Sequence, residues 1–312
     1  MSPFLRVLSG VVLVWSVSAP ALRAAQPAEA IDEAAKLGWH TSYAEAVEVA
    51  IREGKMLLVC FHQPGGSELC DRFARQALAD PGVAERLKHY VRARLPVNTT
   101  IPGKEGEITL LEHSGFAEML GRPGVAIIDF AHQDAPYYGH VVSTFPFLNG
   151  RPYTPREMAV ILDLPPGTLT QRTLIYAVRT HPDAPASTEG ELTPYLAEQA
   201  RQHSQLQARI RRQGHHNWES RFHRINARLP GGLLACEVCA ESWPGESLVE
   251  AAIECVRCWR LSSGHWSSVR SRHPVYGYDM KRGSNGVWYA TGIFGRGSRS
   301  YTRTTPELGG RA

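Results

Sequence analysis

The 312-residue chain reads as two successive domains of mixed α and β structure, and three observations carry that expectation. The first half alternates helix and strand signals around an unbroken apolar run, Met56–Phe61, suited to the centre of a sheet. Pro, Thr, Ser and Gly then concentrate in residues 165–168 and 181–190, which read as connector. The last third sets amphipathic helices beside an Asn285-Gly286 hairpin signal, so helices there flank an antiparallel sheet. Each half is long enough to bury a core without staples.

At the N-terminus, Arg6 precedes an apolar run, Val7–Val17, broken by Ser9, Gly10 and Ser16. Small residues follow, with cleavage points between Ala19 and Ala30. Residues 1–25 therefore have the layout of a secretory signal peptide, with an uncleaved anchor as the alternative. No later segment is apolar enough to cross a bilayer, so the expected mature chain has no transmembrane segment and is secreted, periplasmic or held at the cell envelope. The formal charge is +4, and losing Arg6 and Arg23 with the leader leaves about +2. So small a surplus does not argue for a nucleic-acid partner. The basic run Arg209, Arg211, Arg212 suits a helix C-terminus instead.

In the first domain, residues 32–165, Ser42 and Glu45 form a capping box ahead of the apolar face Ala46, Val47, Ala50, Ile51. Gly54-Lys55 ends that helix and the Met56–Phe61 strand follows. Glu68–Leu78 is a second helix pattern, and Pro81 opens a third. Val91, Ala93, Leu95 and Val97 alternate as a strand. Leu111–Leu120 reads as helix, Val125–Phe130 and Val141–Phe145 as strands, and Thr154–Leu162 as a helix with Pro155 at its first position.

That order, with Gly38–Val47 (GWHTSYAEAV) and Glu53–Phe61 (EGKMLLVCF), resembles the secreted, thioredoxin-related branch of the thioredoxin-like fold. The resemblance implies a Cys-x-x-Cys at the start of the second helix and a cis proline before the third strand. The matching positions are Ser67-Glu68-Leu69-Cys70 and Pro123. Serine at the attacking position is far too weakly acidic to replace a thiolate, so dithiol exchange is excluded and the domain reads as redox-degenerate. Cys60, on a core strand, reads as a small buried hydrophobe.

Residues 166–190 read as a connecting helix, Thr170–Arg179, and a linker. The second domain, residues 191–297, opens with a helix over Thr193–Arg212 carrying Leu196, Ala200, His203, Gln207 and Ile210 on one side. Cys236–Trp243 reads as the opening of another helical segment. Ser247–Leu261 is a third, with Val249, Ala252, Ile253, Val256 and Trp259 as its face. Strands around Tyr276–Met280 and Val287–Phe294 close the domain, and residues 298–312 read as a flexible tail.

Within this half, Gly214–Ile225 (GHHNWESRFHRI), Ala235–Trp243 (ACEVCAESW), Cys258–Trp266 (CWRLSSGHW) and Tyr276–Gly295 fall in an order that resembles the CAP superfamily. These are the cysteine-rich secretory, antigen 5 and pathogenesis-related proteins and their bacterial SCP-like relatives. The resemblance implies a three-layer α-β-α sandwich in which an early His, a Glu and a late His converge on one cavity. Here they are His215 or its neighbour His216, Glu237 and His265. The chain departs from the pattern in one place: the family's second Glu, three residues after a Trp, is Ser262 after Trp259, leaving Glu241 or Glu219 as substitutes.

Two imidazoles and a carboxylate suit a divalent metal such as zinc, and they equally suit a polar ligand or a purely structural network. His215, His265 and Glu237 are the expected ligand set. Cys236-x-x-Cys239 and Cys255-x-x-Cys258 lie fifteen residues apart, a spacing compatible with a four-cysteine zinc site. Export favours a disulfide joining one cysteine of each pair; buried free thiols are the other alternative. The expected function is non-catalytic recognition of a small molecule, lipid or envelope component, because no Ser or Cys sits in a nucleophile motif. The alternatives are a metal-dependent hydrolase and a monothiol redox protein using Cys70.

Overall fold

The computed structural model describes residues 38–297 except 104–105, so the expected leader and tail lie outside the described residues. The chain divides into two compact units. Unit one runs to Pro182 and includes Gly245–Ile253; unit two comprises Asp183–Pro244 and the chain from Glu254.

In unit one, helix α1 (Tyr43–Glu53) starts at Ser42, whose hydroxyl accepts the Glu45 N–H. Strand β1 (Leu57–His62) is buried from Leu57 to Phe61, as its unbroken apolar run requires. Helix α2 (Glu68–Phe73) passes into a π-helical turn, Ala74–Leu78, before α3 (Pro81–Leu87) and the alternating strand β2 (Val91–Pro96). A small ribbon, β3 (Thr100–Pro102) with β4 (Glu107–Thr109), precedes β5 (Gly124–Ile128) and β6 (Val141–Pro146). Capping boxes at Thr154 and Thr168 open α4 (Pro155–Leu162) and α5 (Leu169–Thr180). The sheet order is β2-β1-β5-β6, with β1 parallel to β2 and antiparallel to β5. Leu57, Val59 and Phe61 join Ala46, Val47 and Ala50 of α1 in the core.

Two expectations change here. Leu111–Leu120 is not an α-helix but two 3-10 segments, Leu110–Glu112 and Ser114–Met119, because His113 between them is extended and breaks the ladder. Among the described residues no peptide bond is cis, so Pro123 is not the cis proline that the thioredoxin resemblance implies. Its carbonyl accepts the Phe147 N–H at 2.8 Å, which prolongs the β5–β6 ladder through a trans backbone.

Unit two contains β7 (Glu191–Leu192), α6 (Pro194–Ile210), α7 (Trp218–Asn226) and β8 (Leu233–Glu241). Helix α8 (Leu248–Leu261) begins in unit one and ends in unit two, where α9 (Ser263–Arg270), β9 (Val275–Arg282) and β10 (Trp288–Gly297) follow. The sheet order is β7-β9-β10-β8, and the Asn285-Gly286 signal is the β9–β10 turn, with Gly286 at φ 77°. Helix α6 crosses one face so closely that a Cβ on Gly277 would lie 2.2 Å from the Leu196 carbonyl carbon. Tyr278, next along the strand, faces the other way, its ring 5.8 Å from that of Trp259 on α8. Helices thus cover both faces.

Residues 233–241 form a strand, not the expected helical opening. They pair with β10 from Leu233↔Gly297 to Glu241↔Tyr289, and this ladder overrides the helical propensity of Leu, Ala and Glu. Within the tract 181–190, residues 182–184 are exposed, whereas the later part is packed. Ser187 is buried, donates its N–H to the Val269 carbonyl and shares a 2.8 Å hydrogen bond with the Tyr278 hydroxyl. No disulfide joins the cysteines among the described residues, against the disulfide expectation. Cys236 and Cys239 point to opposite faces of β8, Cys236 toward Ser268 and Cys239 toward His215, while Cys258 meets Glu241 O and Glu254. No helix among the described residues is long and apolar enough to cross a membrane.

Candidate binding site around Glu237

Glu237 points from β8 to the face covered by α6, the same side as Cys239 and its cross-strand partner Thr291. Thr291 Oγ1 is held there by Ser204 and Gln207 of α6, at 3.0 Å each. The strand thereby buries a carboxylate, leaving its side chain 1 % exposed, and four groups gather round it. Arg221 of α7 donates to Oε2. His215, in the α6–α7 connection, lies 3.0 Å from Oε1 through Nδ1. His203 of α6 brings Nε2 to 3.6 Å of the same oxygen, and Cys239 Sγ lies 3.7 Å from His215 Nδ1. Beyond His215, its Nε2 is 3.2 Å from Nε2 of His265 on α9.

The proton positions follow from the acceptors. An ionised carboxylate only accepts, so His215 Nδ1 carries the proton and its Nε2 accepts from His265 Nε2–H. A carboxylate–imidazole–imidazole chain results, running from the buried Glu237 through His215, whose side chain is 40 % exposed, to His265. Burial pushes the Glu237 carboxyl upward, but hydrogen bonds from His215 and Arg221 outweigh it and hold the group below the ordinary carboxylate range. Burial, aided by His215, lowers the His265 imidazole, and burial drives His203 down to about 4. Burial and the Glu237 charge keep the Cys239 thiol protonated, well above its usual range.

The structure brings His215, Glu237 and His265 together. It sends His216 elsewhere, with Nε2 at 3.1 Å from the Arg212 carbonyl. Glu241 lies exposed at the end of β8, and Glu219 is exposed on α7. Sequence reasoning missed three members of the cluster. His203 stood in plain view on the apolar stripe of α6, and a histidine there needs a polar partner. Arg221 sits four residues before Ile225 on the buried side of α7. Cys239 was read with the other cysteines rather than with Glu237.

The donor set fits a metal in geometry. Ligand atoms of His203, Glu237 and Cys239 all lie within 4.8 Å of one another. The Arg221 guanidinium opposes added positive charge, so a cation here must recruit a second anion.

In unit one, Ser67 is the N-cap of α2 without a side-chain capping bond, and Cys70 is buried one turn on. Cys70 and Cys60 line one cavity of about 10 Å³, room for roughly one water, and burial pushes the Cys60 thiol to about 12. Neither is an exposed nucleophile.

No family model matches the chain, CAP models included, and no curated protein matches it. Among solved structures, the chain shows a weak, distant likeness to a thioredoxin from Thermus thermophilus, with a TM-score of 0.27 and 24 % identity. That likeness covers 40 % of this chain and 82 % of the thioredoxin.

Proposed function

We propose that the chain is an exported, non-catalytic binding protein: a redox-degenerate thioredoxin-like domain followed by a CAP-like domain that takes a ligand at His215 and His265. The observation that carries this reading is the 3.2 Å pairing of two imidazole nitrogens, one of them held in a fixed tautomer by a buried carboxylate. With both His215 nitrogens engaged, His265 Nδ1 is left as the acceptor that such a chain offers to a donor group of a small molecule, lipid or envelope component. Helices on both faces of a sheet whose long strands β9, β10 and β8 are antiparallel support the CAP-type sandwich. The order β2-β1-β5-β6, parallel only between β1 and β2, supports the thioredoxin-like one. Export rests on the leader-like N-terminus.

A divalent metal, zinc foremost, is the second occupant the pair suits. At Zn–N lengths of about 2.0–2.1 Å, a tetrahedral edge is about 3.3 Å, close to the observed spacing. The enzyme alternative draws on the same chain, since Glu237 could make His215 a base for water. A covalent route is disfavoured, because Cys239 is buried and protonated.

Native mass spectrometry of the protein exported from a host tests the reading. The unmodified chain should carry a small-molecule adduct, or a metal, that His265→Ala lacks. Identical apo masses for both would remove the binding reading. Ester or phosphoester hydrolysis lost with His265 would favour the enzyme.

A further inference from the structure

We propose that His203, Glu237 and Cys239 form a buried seat for a thiolate-accepting metal ion, zinc or a close analogue, distinct from the outer His215–His265 pair. It does not depend on what that outer pair binds.

Three observations support the seat. The first is proximity: one nitrogen, one oxygen and one sulfur from α6 and β8 lie within 4.8 Å of one another. His215 Nδ1 lies 3.7 Å from Cys239 Sγ but carries the proton it shares with Glu237, so it closes the seat on that side and is not counted as a ligand.

The second is the state of His203. Its Nε2–H donates to the Gly214 carbonyl at 2.9 Å, which leaves Nδ1 as a bare lone pair. That nitrogen is buried, on a side chain with no exposed surface, and has no hydrogen-bond partner. A buried nitrogen in this condition is uncommon and costs about 1–3 kcal/mol. The ring nitrogen measured beside the carboxylate is Nε2, 3.6 Å from Oε1, so binding through it moves the ring proton to Nδ1 and exchanges the Gly214 hydrogen bond for the metal bond.

The third is charge. Arg221 occupies Oε2 of Glu237 and leaves Oε1 on the side of the histidines. A dication that displaces the Cys239 proton meets a thiolate and a carboxylate, so with Arg221 the pocket gains one net positive charge. A hard cation that left the thiol protonated would add two in a dry site. The donor set therefore selects a borderline or soft ion over calcium or magnesium. On binding, the S–H bond breaks, a metal–sulfur bond forms, and one proton leaves to solvent without oxidation or reduction.

Cobalt(II) titration of the chelator-stripped, reduced full chain tests this. One ion should bind per chain with a near-ultraviolet sulfur-to-cobalt charge-transfer band and release about one proton. Zinc should displace it, and magnesium and calcium should not. The band should vanish in Cys239→Ser and His203→Gln and persist in His265→Ala, with circular dichroism reporting that each variant is folded. Should Cys239→Ser not fold, Cys239→Ala serves in its place. Absence of cobalt binding, a spectrum without the sulfur band, or a band lost in His265→Ala would each overturn the seat. The reading of the outer pair would stand or fall separately, on its own adducts.

Discussion

Arg221 and Glu237 form a buried ion pair across the α7–β8 interface, with side-chain exposures of 8 % and 1 %. Such a pair is costly to break from one side, because the surviving charge stays buried without compensation. Arg221→Ala should destabilise unit two by about 3–5 kcal/mol, read as a fall in the denaturant midpoint. The double replacement Arg221→Met with Glu237→Leu should recover most of that loss. A single variant within about 0.5 kcal/mol of the parent would show that the pair is solvated.

Acid should weaken the metal-free protein in a defined window. His203 is pushed from 6.5 to about 4 by burial, with Glu237 opposing and Arg221 and His216 adding to the fall. Between those values the unfolded chain binds a proton that the folded chain does not. The stabilisation is therefore complete above about pH 6.5 and is lost as the pH falls toward 4. Glu237, with its lowered carboxyl, loses its contribution at still lower pH. The expected decrease across the window is on the order of 2–3 kcal/mol and should be largely absent in His203→Gln. Denaturation at pH 7 and pH 4.5 with chelator present measures it, and equal slopes for both proteins would contradict the assignment.

The degenerate redox reading predicts no insulin-disulfide reduction by the unmodified chain. Ser67 occupies the helix N-cap where a thiolate would be stabilised, and Cys70 is sheltered behind it. Ser67→Cys should gain a trace of activity that disappears when Cys70→Ala is added. Robust turnover without the new cysteine would end this reading.

Gly277 is where α6 and β9 meet backbone to backbone. Its alanine variant would place a methyl 2.2 Å from Leu196, and neither helix nor strand is a flexible side chain that can swing away. A loss of about 1–3 kcal/mol or more is expected. Gly264, where an added methyl would meet nothing within 4 Å, is the matching control. Thermal melts of the two alanine variants that coincide would show that α6 moves freely.

Much of the fold is legible because the signals are local. The apolar run Leu57–Phe61, the caps at Ser42, Thr154 and Thr193, and the Asn285-Gly286 turn each act within a few residues. β8 was illegible for the opposite reason. Leu-Leu-Ala-Cys-Glu-Val-Cys-Ala-Glu alternates no clear polar face, since Glu237 points inward, and only pairing with β10 makes it a strand. The same inward turn hid half of the site. His215, Glu237 and His265 stood out as an ordered set, whereas His203 and Arg221 gain meaning only when α6 and α7 are packed over β8.

By its place in the sheet, β8 has a hydrogen-bonded neighbour on one side only among the described residues. An edge strand invites the strand of another molecule, and a charge turned inward is one of the devices that discourages such pairing. Glu237 is that charge. A foreign strand adding at this margin would have to disturb the helices that meet the carboxylate, at the cost of its arginine. Replacing Glu237 with an apolar residue therefore does more than empty a binding site: it leaves a smoother, stickier border on which copies of the chain can aggregate.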